Sequence, residues 1–330
     1  MYSIDIIKMS SQEHRVHIHK ENAKYQNDVT QTARINTMND INNTINDVDE
    51  INQDVCFMIA SVNECMYHFT EKGYNVTVLN FANAQYVGGG VEHGALAQEE
   101  ELCRTSPMLY NSLLLFGKKN RDSHLYVYDN WSIWDKCLLF TSSALFRRYD
   151  TRHKIPYDII LDDKAYDASI ITAAAPNWSR WSYHKVHDSF TIRTHNNQII
   201  RKDAITETQN IKRMIEHIYN APNNVIEQTS LIEWRSVEPL VSPINVVQQE
   251  NNILILGPWG CGAFAPSVGA DDYRDLMMTQ FAKVIKESKK RYLYICFSFL
   301  NDKNDSNFDS FMRIFNQPTY FGGHLFQIQK

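Results

Sequence analysis

A triplet of glycines, followed at short distance by a Gln-Glu-Glu run, is the feature that most constrains this chain. The triplet occupies residues 88–90, and the Gln-Glu-Glu run occupies residues 98–100. Three positions without a Cβ allow positive φ angles and let backbone N–H groups approach a ligand closely. The run then supplies one amide and two carboxylates. A loop that fits a phosphate or sugar, beside paired carboxylates, is what cleavage of a glycosidic bond to a phosphorylated sugar requires.

Length and charge limit the class of protein. The chain has 330 residues, of which 43% are hydrophobic and 22% are charged, which is typical of a globular protein with one large domain. The net charge of −5 and the pI near 6.2 argue against a nucleic-acid or anionic-membrane binder, which would present a basic face. We therefore expect local backbone donors, rather than a general positive field, to hold any anionic ligand.

The sequence also indicates a compartment. No apolar run approaches the ~18–20 residues needed to cross a bilayer, and the N-terminus has no signal-peptide pattern. The six cysteines include no Cys-x-x-Cys pair, which suggests reduced thiols. We expect an intracellular monomer, cytoplasmic or nuclear, that binds neither a membrane nor nucleic acid directly.

Periodicity predicts an α/β fold preceded by a polar segment. Residues 1–50 are rich in Asn, Asp, Thr and His, and we interpret them as an accessory arm, partly helical or mobile. Residues 51–330 then form the main domain, with insertions at 118–166 and 178–245 whose structure the pattern does not assign. Strands are predicted at 75–81, 167–174, 252–256 and 292–300, and helices at 52–72, 95–106, 211–218 and 276–285. Strands that alternate with helices imply a sandwich around a mixed sheet.

Two glycine-rich loops follow predicted strands, at the strand ends where α/β sheets bind ligands. They cover residues 87–94 and 257–262. Each can offer clustered N–H groups to a diphosphate without Lys or Arg. The alternative interpretation is that both are simple tight turns. The occurrence of two at equivalent places, one of them leading into carboxylates, favours a binding site.

A helical wheel separates the three consecutive glutamates. Glu99 and Glu100 flank an apolar stripe formed by Leu96 and Cys103, so their carboxylates should be partly desolvated and their pKa values raised. Glu101 points toward the opposite face, and we expect a solvated surface charge there. The alternative for the first two is that they are acids favoured by the helix macrodipole.

Two further side chains lie at the predicted cleft. Asn83 follows the first strand and can hydrogen-bond sugar hydroxyls. Phe264 follows the second loop and either stacks on a ribose or base or fills the core. The Asp pairs at residues 162–163 and 271–272 are interpreted as helix caps or solvated turns, so we expect no metal site.

Taken together, these motifs resemble the microbial-type poly(ADP-ribose) glycohydrolases, a branch of the macrodomain fold. The glycine triplet and the Gln-Glu-Glu run look like that family's signature. Residues 79–84 and 171–177 are similar to its strand ends, and residues 257–264 to its second phosphate loop. The resemblance covers about residues 52–300, with gaps at the insertions.

The resemblance implies a fold and a set of site residues. The fold would be a macrodomain-like three-layer α/β/α sandwich around a mixed sheet, with an N-terminal extension. Glu100 matches the family's catalytic acid, and Glu99 matches the glutamate that hydrogen-bonds the substrate ribose. The implied substrate-binding residues are Asn83, Gly88, Gly89, Gly90, Gln98, Gly260, Cys261, Gly262, Ala263 and Phe264.

The reaction implied by the resemblance is hydrolysis of the ribose–ribose O-glycosidic bonds of poly(ADP-ribose), which releases ADP-ribose. Glu100 would act as general acid and base, and neither a metal nor a cofactor is implied. Two alternatives stay open: hydrolysis of mono-ADP-ribosylated protein, and ADP-ribose binding without turnover. The intact Gln-Glu-Glu run favours an enzyme over a binding module.

Overall fold

The computed structural model describes residues 10–37, 53–119, 137–227, 232–234, 252–289, 291–301, 303–321 and 325–329. In these ranges the strands are β1 (Thr32–Asn36), β2 (Val55–Ile59), β3 (Asn75–Ala82), β4 (Cys137–Phe146), β5 (Tyr166–Ala174), β6 (Ser182–His184), β7 (Ser189–Arg193), β8 (Ile199–Asp203), β9 (Ile232–Trp234), β10 (Asn252–Leu256), β11 (Tyr294–Phe299) and β12 (Leu325–Gln327). The helices are α1 (Ser11–Glu21), α2 (Val62–Glu71), α3 (Gln98–Thr105), α4 (Pro107–Lys119), α5 (Ala204–Glu227), α6 (Ala270–Glu287) and α7 (Ser306–Phe315).

One mixed sheet organises the described part of the chain. Its nine strands run in the order β12-β2-β11-β10-β3-β5-β4-β1-β9. The pairs from β12 to β5 are parallel, whereas β4, β1 and β9 continue the sheet through antiparallel pairs. A separate antiparallel sheet contains β6, β7 and β8.

Helices cover both faces of the main sheet. Successive residues of a strand point to opposite faces, and on β3 this places Val78 on one side and Leu79 on the other. The Val78 face packs on buried residues of α2, α3 and α4, and the Leu79 face packs on those of α5, α6 and α7. The predicted three-layer α/β/α sandwich around a mixed sheet is therefore confirmed.

The structure confirms, within two residues, the strands predicted at 75–81, 167–174, 252–256 and 292–300. The helix predicted at 52–72 is wrong in its first half. Val55–Ile59 is strand β2, which is almost wholly buried between β11 and β12. The buried strand is a continuous apolar run, so it imitates helical spacing over one turn. Helix α2 begins only after Ser61, whose hydroxyl forms a capping box with Glu64.

The predicted accessory arm differs from the structure where that segment is described. Strand β1 pairs with β4 inside the main sheet, and helix α1 packs beside the first glycine loop. Residues 10–37 are therefore built into the domain, and residue 50 does not separate them from it. The polar composition misled the prediction because α1 is a polar, mostly half-buried helix whose one fully buried residue is Ile18.

The insertions contain regular structure that weak periodicity did not predict. The described part of residues 118–166 includes β4, and that of residues 178–245 includes the small sheet and α5. All six cysteines are free and buried, as expected for reduced thiols. In the described ranges, no helix combines the length and apolarity needed to cross a membrane.

Candidate active site

Three neighbouring parallel strands end together at one edge of the sheet. β10, β3 and β5 are adjacent, and the two glycine loops follow β10 and β3. The second loop begins close to the end of β3: a Cβ built on Gly257 would lie 2.8 Å from Cζ of Phe81. The prediction that both loops lie at equivalent strand ends is confirmed, and these are the ends at which α/β sheets bind ligands.

Gln98 fixes helix α3 to the end of β3. Its Oε1 accepts a 2.8 Å hydrogen bond from the N–H of Phe81, and its Nε2 donates a 2.7 Å hydrogen bond to the carbonyl of Leu79. Both ends of the amide are thus engaged by strand backbone. Gln98 was predicted to bind substrate, but in the structure its side chain positions the helix that carries the two glutamates.

Glu99 is buried and held at both carboxylate oxygens. Oε2 accepts a 2.7 Å hydrogen bond from the N–H of Asn83, and Oε1 accepts one of 3.2 Å from the N–H of Gly88. Burial raises the pKa of Glu99 to about 8, because loss of solvent disfavours the charged form more than these N–H donors favour it. The nearby charge of Glu100 adds to the rise in this pKa.

Glu100 is held at one oxygen only. Its Oε1 accepts a 2.8 Å hydrogen bond from the N–H of Gly90, and no described residue hydrogen-bonds its Oε2. The backbone of the glycine triplet lies directly against this carboxylate, because a Cβ built on Gly89 would stand 2.4 Å from Oε1. Gly89 also has a φ of 56°, which L side chains rarely adopt.

The first glycine loop was predicted to present the N–H groups of its triplet to a diphosphate. In the structure these three N–H groups are instead hydrogen-bonded within the protein. Gly88 and Gly90 donate to the two glutamates, and the N–H of Gly89 donates to the carbonyl of Tyr86 at 3.0 Å. A carboxylate attracts N–H donors as strongly as a phosphate does, so a sequence pattern cannot tell which anion the loop holds. The loop holds the protein's own carboxylates.

The second loop retains available donors. In the described chain, the backbone N–H groups of Gly262, Ala263 and Phe264 have no hydrogen-bond partner, and Gly262 and Ala263 are exposed. Gly260 makes the turn with a φ of 76°. Successive unpaired N–H groups in a loop suit an anion, so the predicted anion-binding role fits this loop.

The remaining predicted site residues differ in how far their side chains are exposed to solvent. Cys261 is buried, and burial raises the pKa of its thiol to about 12, so its side chain faces the core. Phe264 is half-buried and packs against the core beside the loop. The side-chain oxygen of Asn83 accepts hydrogen bonds from the N–H groups of Gln85 and Tyr86, which stabilises the turn. Asn83 therefore has only its amide NH₂ left for a sugar.

The structure contradicts the prediction that Glu101 is a solvated surface charge. It is 9% exposed, and its carboxylate accepts hydrogen bonds from the N–H of Thr151 at 2.7 Å, the hydroxyl of Tyr157 at 2.7 Å and the guanidinium of Arg104 at 3.1 Å. The wheel failed because α3 begins at Gln98, so Leu96 is outside the helix and is 57% exposed.

Sequence reasoning missed the contribution of α1 to this site. Gln12 donates a 2.9 Å hydrogen bond to the carbonyl of His93, and Arg15 donates one of 2.6 Å to the carbonyl of Gly94. These contacts stabilise the loop segment between the glycine triplet and α3. The capping box formed by Ser10 and Glu13 is the sequence signal that could have located this helix.

A cavity of about 510 Å³ opens beside Gln98 and Glu101 at the start of α3, and it extends toward the ends of β2 and β11. Apolar side chains, including Phe81, Pro258 and Phe299, line it together with polar Asn63 and Asn301. Its volume and mixed lining are those of a small-molecule site. In the described part of the chain, no three His, Cys, Asp or Glu side chains are grouped as a metal ion would require.

The geometry defines a macrodomain-like α/β fold with a buried pair of glutamates beneath a glycine loop. Residues 5–141 match the family model of the microbial-type PARG, catalytic domain, where PARG denotes poly(ADP-ribose) glycohydrolase. Both halves of the sequence signature lie inside this match, so the resemblance drawn from them is confirmed. No curated protein matches the chain.

Solved structures share the fold across nearly the whole chain. The poly(ADP-ribose) glycohydrolase from Thermomonospora curvata has a TM-score of 0.56 at 17% identity, covering 92% of this chain and 100% of that chain. The same protein bound to the inhibitor ADP-HPD has a TM-score of 0.55 at 16% identity, covering 91% of this chain and 99% of that chain. The glycohydrolase from Deinococcus radiodurans in complex with ADP-ribose has a TM-score of 0.51 at 18% identity, covering 92% of both chains.

Proposed function

We propose that this chain hydrolyses the ribose–ribose O-glycosidic bonds of poly(ADP-ribose) and releases ADP-ribose. The observation that carries the proposal is the pair Glu99 and Glu100, held by glycine-loop N–H groups with one oxygen of Glu100 left for substrate. The family match over residues 5–141 supports this reaction. The similar structures include glycohydrolases bound to ADP-ribose and to ADP-HPD, which supports the same ligand here.

We expect the substrate to bind with its diphosphate at the second glycine loop and its nucleoside in the cavity. The diphosphate would accept hydrogen bonds from the N–H groups of Gly262, Ala263 and Phe264, which no described residue engages. The nucleoside end would occupy the 510 Å³ cavity, whose apolar walls suit a base and whose amides suit its edges. The reacting ribose would then lie between Phe264 and the carboxylates.

The two glutamates take different roles. Glu99 has both oxygens engaged by Asn83 and Gly88, so it is a fixed group suited to orient a ribose hydroxyl. Oε2 of Glu100 has no partner among the described residues, so it can reach the departing oxygen. Burial raises the pKa of Glu99 to about 8, so this carboxyl retains its proton near neutral pH and adds no negative charge beside Glu100.

The proposed reaction balances with one water. Glu100 gives its proton to the departing ribose oxygen while the glycosidic C–O bond breaks and positive charge develops at the anomeric carbon. A water then bonds to that carbon and returns a proton to Glu100. The products are ADP-ribose and a polymer shortened by one unit, and Glu100 is restored.

Product analysis tests this function. Poly(ADP-ribose) and a mono-ADP-ribosylated protein are incubated separately with the protein, and released ADP-ribose is quantified by chromatography, with Glu100→Gln as control. We expect release from the polymer by the parent protein alone. Release only from the mono-modified protein would identify a mono-ADP-ribosyl hydrolase. Calorimetric binding of ADP-ribose without release from either substrate would identify a binding module.

A further inference from the structure

A second, smaller pocket lies where β5 ends, whereas the 510 Å³ cavity lies toward β11 and β2, on the other side of β3 in the order of the sheet. Its volume is about 260 Å³, and its walls include Asn177, Trp178, Arg180, Trp181 and Lys202. This is slightly below the ~300–1,000 Å³ range of ordinary small-molecule sites. It can therefore take one part of a larger ligand whose remainder lies outside.

The pocket is joined directly to the second glycine loop. The N–H of Trp178 donates a 2.8 Å hydrogen bond to the carbonyl of Phe264, and the N–H of Ser267 donates one of 2.9 Å to the carbonyl of Trp181. Two backbone hydrogen bonds thus join the pocket wall to the segment that contains Phe264. A ligand that passes Phe264 on this side meets the pocket next.

Aromatic rings and cations occur together in the pocket. The rings of Trp178 and Trp181 meet edge to face at 5.1 Å, and Nζ of Lys202 lies 5.1 Å and 5.6 Å from their centroids. Glu207 lies 3.3 Å from the same ammonium, so Lys202 is held in a defined position. Arg180 is exposed at the rim. Cations with aromatic surfaces are the usual means of binding phosphorylated nucleosides.

The segment that carries most of this pocket has a charge opposite to that of the whole protein, although Glu207 just beyond it pairs with Lys202. Residues 178–203, which contain the small sheet of β6, β7 and β8, include five Lys and Arg residues and two Asp residues, a net charge of +3. The whole chain has a net charge of −5. A local basic surface on an acidic protein favours a polyanion that must also reach the cleft.

The order of the strands gives the direction of the polymer. The nucleoside cavity lies toward β11 and β2, the carboxylates lie beyond β3, and the basic pocket lies beyond β5. In the proposed function, a terminal ADP-ribose has its nucleoside in the cavity and its reacting ribose at Glu100. The departing part of the polymer then extends toward β5.

We propose that the pocket beside Trp178 and Lys202 binds the adjacent ADP-ribose unit, on the departing side of the bond that is cleaved. This inference rests on the proposed function and adds to it a preference for the polymer over a single ADP-ribose. Lys202 and Arg180 bind the diphosphate of the adjacent unit, and part of its nucleoside enters the pocket.

Binding of one and two units separates this proposal from the proposed function. Lys202→Gln and Arg180→Gln are made on a Glu100→Gln background, and their affinities for ADP-ribose and for its ribose–ribose-linked dimer are measured by calorimetry. We expect about tenfold weaker binding of the dimer, as for loss of a hydrogen bond to a charged group. Affinity for ADP-ribose should be unchanged. The matched control is Lys185→Gln, an exposed cation outside the pocket in the connection between β6 and β7.

Each result decides one of the two ideas. Unchanged dimer affinity in both pocket variants, equal losses for ADP-ribose and dimer, or the same loss in Lys185→Gln would overturn the subsite. Failure of the otherwise unmodified protein to release ADP-ribose from polymer would instead overturn the proposed function. Arg180→Gln changes an exposed rim residue, so the test remains decisive if Lys202→Gln, which packs on two buried indoles, does not fold.

Discussion

The backbone N–H of Gly90 donates a 2.8 Å hydrogen bond to the carboxylate of Glu100. A parallel bond joins the N–H of Gly88 to Glu99 at 3.2 Å. The glycine triplet and the glutamates are therefore two halves of one unit: the loop turns back and covers the first turn of α3. This explains physically why the two motifs occur together at short spacing, since each satisfies the other's hydrogen bonds.

Gly89→Ala should reduce activity far more than stability. The new Cβ would meet Oε1 of Glu100 at 2.4 Å, and a side-chain end can move away at little cost in folding free energy. The φ of 56° adds about 1 kcal/mol of strain. The displaced carboxylate should lower kcat on poly(ADP-ribose) about 10²-fold, because catalysis depends on placement within about 1 Å.

Gly262→Ala is the matched control for the other loop. A Cβ built on Gly262 has no atom within 4 Å, and this glycine does not have a positive φ. Of these two glycines, the structure therefore predicts strain at Gly89 alone. Urea denaturation and turnover of both variants test the contrast. Equal effects on kcat would mean that Gly89 does not set the position of Glu100.

Glu100→Gln should lose the proton transfer and keep the binding site. The amide conserves size, and its oxygen can still accept the hydrogen bond from Gly90. We expect a rate loss of about 10²- to 10⁴-fold, the usual scale of general acid–base catalysis. Affinity for ADP-ribose should change little. A folded Glu100→Gln variant with parental turnover would show that the acid is another group.

The parts of the fold that the sequence predicted correctly are those with strong local patterns. The buried strand β3 ends in a glycine loop, and the apolar run of β10 does the same, so both strand ends could be located without the structure. Helix α1 and the small sheet of β6, β7 and β8 have few apolar residues in a regular pattern. Their positions depend on contacts with distant segments, which no local pattern reports.

The candidate site was predictable in its residues but not in its hydrogen bonds. Glu99 and Glu100 do lie together under the glycine loop, as the motif indicated. Which anion the loop N–H groups hold depends on how far the chain turns back, and this is a property of the folded loop. The burial of Glu101 was equally inaccessible, because its partners Tyr157 and Thr151 come from a weakly patterned insertion.

Glu101→Gln should destabilise the protein, contrary to its interpretation as a solvated charge. Arg104 is fully buried, and Glu101 is its acidic partner at 3.1 Å. Loss of that charge leaves a buried guanidinium uncompensated, which costs about 3 kcal/mol. Arg104 also donates to the carbonyl of Ala95, just before α3, so the start of the helix should loosen. Chemical denaturation measures the loss.

Tyr157→Phe is the control for this network. It removes the hydrogen bond that Tyr157 donates to Glu101 and the 3.1 Å bond that it accepts from Arg104, but it leaves the charge pair intact, so we expect a smaller loss of about 1–2 kcal/mol. A Glu101→Gln variant as stable as the parent protein would contradict the buried network. It would restore the interpretation of Glu101 as a surface charge.

The stability of the protein should depend on pH through Glu99. Burial raises the folded-state pKa of this carboxyl to about 8 from an ordinary value of 4.5, so the folded state binds more protons than the unfolded state between these values. The stabilisation is complete below pH 4.5 and is lost as the pH rises through about 8. At most it amounts to about 5 kcal/mol, since one pKa unit corresponds to about 1.4 kcal/mol.

Thermal denaturation from pH 5 to pH 8.5 tests this dependence in the parent protein and in Glu99→Gln. The variant has no proton to lose at this position, so its Tm should fall less than that of the parent over the same range. The comparison uses the slope of Tm against pH and not Tm itself. The amide of Glu99→Gln places an NH₂ group against the N–H donor of Asn83 or Gly88, which lowers stability at every pH. Parallel slopes would show that Glu99 ionises in the folded protein near its ordinary pKa, and that the two backbone donors outweigh its burial.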